Sequence, residues 1–133
     1  MTRGQVLMWS SCLILAGGGA LIYLLQNIPP TLPDGKWDLP VITLFMAALA
    51  LLASGSGALV ALRLHQRWPA LGGAQRQAAP KPEIALRQGF LFSGAVTAIA
   101  LLALFHTLDI TFVLVTCLLL GLVEAYLQNR QPR

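Results

Sequence analysis

The sequence predicts an all-α membrane protein, a bundle of four transmembrane helices built as two helical hairpins with both termini on one side. Three observations predict it. Of 133 residues, 56% are hydrophobic and only 11% charged, where a soluble domain carries about a quarter charged residues. Four separate stretches reach the roughly 20 apolar residues needed to cross a hydrocarbon layer about 30 Å thick. The basic residues then fall almost entirely on one side of that four-span layout. Nine basic and five acidic side chains are too few to cover a small domain in water. This excludes an ordinary soluble enzyme, a disordered tail and a nucleic-acid-binding domain.

The first span covers residues 6–25 and has no charge. It stops at Pro29-Pro30, where two prolines remove donors and clash with a continuing helix. Apolar Leu21 to Leu25 follow the small residues Gly18-Gly19-Ala20 directly, so the stretch reads as an uncleaved anchor rather than a signal peptide. A loop with Pro33 and the turn pair Asp34-Gly35 leads to the second span, residues 39–64, which is uncharged before Arg63. Asp38 is placed to cap it, and Pro40 is tolerated in its first turn. At 26 residues it is the longest span and is expected to tilt or protrude. Residues 65–85 hold Pro69, Gly72-Gly73, Pro80 and Pro82 without apolar periodicity, and read as a flexible linker. The third span, residues 86–105, opens with Arg87. A tight turn at His106 to Asp109 forces the fourth span, residues 110–127, back against the third, with Asp109 as its expected N-cap. One membrane domain thus fills residues 1–133.

Arg3, Arg63, Arg67, Arg76, Lys81, Arg87, Arg130 and Arg133 share one side of this layout, and Lys36 alone lies on the other. By the positive-inside rule, both termini and the linker are expected to face the cytoplasm, so the chain reads as a multi-pass protein of a cell membrane. Trp9, Trp68 and Tyr126 fall near the inner interface, Tyr23 and Trp37 near the outer one. The pI of about 9.7 follows from this topology. A modest attraction to anionic lipid heads at the inner leaflet is expected.

Helices associate in lipid through close packing of small side chains. Each span offers a stripe for this: Cys12-Ala16-Ala20, Ala53-Gly57-Ala61, Gly94-Ala98 and Cys117-Gly121-Ala125. Ala16, Ala20, Gly57, Gly94 and Gly121 are the expected helix-packing positions. Ser54-Gly55-Ser56-Gly57 is the expected site of a bend or close contact.

Glu124 is the one carboxylate within a span, and intramembrane charges are costly enough to suggest function. Arg87 starts the neighbouring span, about 7 Å away along the helices at 1.5 Å per residue, a distance a snorkelling arginine covers. Arg63 is a second candidate partner. The pair could handle protons or cations. The preferred reading is a structural ion pair, because Glu124 lies only about two turns from Arg130. His65 and His106 fall on opposite sides and cannot share a metal or haem. Cys12 and Cys117 form no C-x-x-C and read as small packing residues. Thr97, Thr111 and Thr116 can bond back to their own helix carbonyls. No nucleophilic triad, phosphate loop or carboxylate pair converges, so no catalytic residue, cofactor or metal is expected.

The outer loop ending in Trp37, the run from Leu44-Phe45 through Gly57 to Arg63, Arg87-Gln88-Gly89 and the late Glu124 together resemble small four-helix membrane proteins of bacterial lineages such as the candidate phyla radiation and Chloroflexota. That resemblance covers most of the chain. It implies the four-span fold and, as the group has no assigned activity, no chemistry. Length and span count are also similar to the small multidrug-resistance transporters. That family relies on a glutamate in its first helix; span one here has none, which argues against the assignment.

The expectation for function is a non-enzymatic accessory, assembly or structural subunit of a membrane complex. A small oligomeric transporter or channel using Glu124 and Arg87 is the alternative, with a holin-like pore former behind it. The expected partners are the lipid bilayer and other membrane subunits or further copies of the chain, with no nucleic acid.

Overall fold

A computed structural model describes residues 2–68, 81–106 and 109–130. It contains four helices: α1 (Arg3–Asn27), α2 (Leu39–Arg67), α3 (Pro82–Leu104) and α4 (Ile110–Asn129). Each is long and apolar enough to cross a membrane, and no strand occurs among the described residues. All four outrun or match their expected spans. The segment expected as linker shortens most, because α2 continues to Arg67 and α3 begins at Pro82; both prolong regular backbone bonding through polar residues that an apolar count leaves out. Linker residues 69–80, with Arg76, together with turn residues 107–108 and Arg133, lie outside the described residues.

Local chemistry sets the boundaries. Thr2 and Gln5 form a reciprocal capping box at the start of α1, satisfying donors that a helix start leaves open. Asp38 accepts from the Val41 backbone at 3.4 Å, and Pro40 sits in the first turn of α2. Asp109 occupies the N-cap position of α4, but its side chain makes no capping bond. Between α1 and α2 the chain closes on itself. Thr31 and Trp37 form an isolated antiparallel bridge, and Gly35 takes a positive φ of 75° that suits a residue without a Cβ.

Contacts place Val6 against Leu62 and Ala85, Gly17 against Ala48 and Leu52, and Gly89 against Ser54 and Ala58. Successive helices therefore run antiparallel, and the basic ends of all four gather together. Contacts do not divide the chain into two separate hairpins. The broadest interface joins α2 to α3, the next α1 to α2, and α4 touches only α3 among the described residues. α2 is therefore the centre and α4 the periphery.

Close approach explains why α2 is central. Its Ser54-Gly55-Ser56-Gly57 run serves both neighbours: a methyl at Gly55 would lie 2.6 Å from the Ser10 carbonyl of α1, and one at Gly57 would lie 2.9 Å from the Phe92 ring of α3. The Ser93 hydroxyl donates to the Ala50 carbonyl at 2.8 Å, tying α3 to α2. Small residues permit this spacing, and dispersion between the closely set backbones rewards it.

Packing on α1 falls on Ser10 and Gly17, not on Ala16 and Ala20, which are exposed. Val6, Ser10, Gly17 and Leu24 recur at four and seven residues, the face of one 3.6-residue helix, and the stripe through Ala16 lies about 100° to one side. Gly57 does pack at the α2–α3 contact. Gly94 and Gly121 are exposed, with nothing within 4 Å of an added methyl. Cys12 and Cys117 are likewise exposed and free.

Candidate functional site: a polar network at the basic end

Three side chains converge on Glu124. The Arg87 guanidinium donates to Glu124 Oε1 at 3.0 Å, Gln88 Nε2 at 3.1 Å and Gln128 Nε2 at 2.8 Å. Behind Gln88, its Oε1 lies 2.9 Å from Nε2 of His65 on α2. A continuous polar chain therefore runs from α2 through α3 to α4. It is the most polar feature joining three helices, and it lies beside the Val6–Leu62–Ala85 cluster at the basic end.

Helical spacing builds it. Arg87 and Gln88 are adjacent at the start of α3, so one turn presents both to the antiparallel α4. Gln128 follows Glu124 by four residues and stands one turn above it on the same face. His65 is only 3% exposed, and Gln88 supplies its partner, as burial of a polar ring demands. Arg87 and Glu124 side chains are 26% and 16% exposed, partly shielded yet near an end.

Acceptance by Glu124 is lopsided. All three donors meet Oε1, while Oε2 is buried without a partner, as is Nε of Arg87. Such atoms cost free energy unless something satisfies them. Ser10 Oγ and Thr97 Oγ1 are in the same state. Thr116 does bond back, donating to the Phe112 carbonyl at 2.7 Å; Thr97 does not, contrary to expectation.

Arg63 is exposed on α2 and joins no bond to Glu124; α2 and α4 do not touch, so its reach falls short. His65, Gln88 and Gln128 were not among the expected site residues. Gln128 was legible as the residue one turn from Glu124. His65 and Gln88 required the α2–α3 register. His106 sits in the turn after α3 at the opposite end, with a φ of 54°. Among the described residues, no group of three or more His, Cys, Asp or Glu could hold a metal ion.

A groove of about 410 Å³ between α2 and α3 ends at this network. Gly57, Val60, Ala61, Leu64 and Phe92 form its apolar walls, and His65 and Gln88 its polar end. A second cavity of about 350 Å³ lies at the opposite end, lined by Pro30, Trp37, Phe45, Met46 and Leu104 among others, with no charged side chain.

No family model, no curated protein and no solved structure matches this chain.

Proposed function

We propose that the protein is a non-enzymatic accessory or assembly subunit of a bacterial inner-membrane complex, with both termini cytoplasmic. One observation carries this reading. α4 is the most apolar helix, yet none of its residues is buried, and it is held to α3 alone. Phe112, Leu114, Leu118, Leu119 and Leu122 all face outward. A helix that meets only α3, along the half-buried stripe Val113, Thr116, Leu120 and Leu127, leaves its other faces available to another membrane helix. Its Gly121 is open to close approach, the property that interhelical contacts in lipid use. The polar network serves in this reading as a clamp that fixes α4 in place, and the resemblance to small four-helix bacterial membrane proteins fits it.

The test is purification from its native membrane in mild detergent, with α4 variants as controls. A defined partner that is lost with Gly121→Leu supports the reading. A stable monomer without any partner sinks it.

A second reading, a small oligomeric transporter or channel, is favoured by the unpartnered Glu124 Oε2 beside Arg87. Under it, Glu124→Gln abolishes cation or proton flux in liposomes while helix content stays unchanged. No flux from the wild-type chain would remove that alternative.

A further inference from the structure

The groove between α2 and α3 has a shape and a polarity that the subunit reading does not use. The groove follows α2 for the roughly 13 Å between Ser56 and His65, at 1.5 Å per residue, with a volume of about 410 Å³. One extended hydrocarbon chain fits. Apolar walls closed at one end by a few polar groups are the usual make-up of a small-molecule site of 300–1,000 Å³.

Charge identifies the head. His65 and Gln88 close the groove at the end where the basic residues collect. Three residues beyond Leu64 on α2 comes Arg67, and Trp68 continues the Gly57–Ala61–Leu64 stripe by one turn. Lys81 is the N-cap residue of α3, seven residues before Gln88. Arg67, Trp68 and Lys81 are all exposed. A hydrocarbon chain lying in the groove therefore brings its head group to the end that carries the exposed cations Arg67 and Lys81 and the interfacial Trp68, where Glu83 is the one acid beside Lys81. Basic pockets between transmembrane helices hold anionic lipid heads in this way, and Trp favours the head-group level. The second cavity has Trp37 in its wall, but the neighbouring Lys36 stands between Asp34 and Asp38, so that end offers an anion no excess of positive charge.

We infer that the α2–α3 groove binds one anionic phospholipid, its acyl chain along Gly57, Ala61 and Phe92 and its phosphate between Arg67 and Lys81. The lipid covers the exposed side of Val60, which is 56% accessible, and seals the α2–α3 seam. The inference requires only a bilayer around the helices; it holds whether or not a protein partner exists.

The test uses the full chain in nanodiscs of equal phosphatidylglycerol and phosphatidylcholine, released into mild detergent and weighed by native mass spectrometry. The expected wild-type result is one retained phosphatidylglycerol per chain in clear preference to phosphatidylcholine. Arg67→Gln and Lys81→Gln are exposed changes outside the core, and each should cut the preference about five-fold, the worth of one cation at a membrane surface. Val60→Phe places a ring in the groove and should abolish retention of either lipid while helical circular dichroism stays intact. Equal retention of the two lipids, no retained lipid, or a preference unmoved by both cation variants overturns the proposal. Should Val60→Phe fail to fold, the wild-type ratio and the two cation variants still decide.

Discussion

Arg87 at the start of α3 and Glu124 near the end of α4 meet at 3.0 Å, in the one interface that α4 makes, far less extensive than either interface of α2 with its neighbours. Between α1, α2 and α3, backbones approach through glycine and serine. α4 has no such glycine approach; a half-buried stripe of Val113, Thr116, Leu120 and Leu127 lies on α3 alone, and polar bonds to a single carboxylate oxygen anchor its basic end. Three helices are thus held by close backbone approach, and the fourth by a looser side-chain contact with a polar anchor at one end.

A double-mutant cycle on Arg87→Gln and Glu124→Gln should give a coupling of about 1 kcal/mol, within the range of interhelical hydrogen bonds measured in lipid. Unfolding in mixed detergent micelles reads it. The pair is partly exposed near one end, which keeps the value below that of a fully buried ion pair. A coupling near zero would mean that α4 is held by something else.

Glycines divide by position. Gly17→Ala and Gly89→Ala place a methyl against the backbone of α2 and should destabilise by about 1–3 kcal/mol or more, as overpacking does. Gly94→Ala and Gly121→Ala meet open space, and helix propensity alone makes them neutral or slightly stabilising. Thermal melts of the four variants side by side distinguish the groups. Equal behaviour of all four contradicts the packing described.

Caps that look alike in sequence differ in effect. Asp38→Ala removes an acceptor from the Val41 amide and should cost about 1 kcal/mol, whereas Asp109→Ala, whose side chain bonds no amide, should cost a few tenths at most. Chemical-denaturant midpoints compared with wild type settle the contrast.

Orientation is open to direct measurement. Lys36→Cys should react with a membrane-impermeant maleimide from outside intact cells, and Arg67→Cys only after the membrane is opened, in a background with Cys12 and Cys117 replaced by Ala. The expectation rests on the excess of Arg and Lys at one end. Reversed labelling would place the termini outside and invert the topology proposed above.

Sequence by itself determined the solvent and the helix count. Charge deficit and span-length apolar runs follow from the cost of placing backbone and charge in hydrocarbon, and that cost is read residue by residue, without knowing any neighbour. It also brought Glu124 and Arg87 to attention, since an embedded acid stands out and depth along a helix follows from counting.

Tertiary structure decided what depends on rotation and register. Whether α1 presents Ser10 and Gly17 or Ala16 and Ala20 is a turn of about 100°, and an all-apolar helix carries no polar face to mark it. For the same reason, the sequence does not disclose that α2 is central, that α4 hangs from α3, or that Arg63 stands apart from Glu124. Nor does it bring His65 to Gln88. That meeting needs α2 and α3 set at one register, and the register is fixed by Gly57 and Gly89, the points where their backbones come closest.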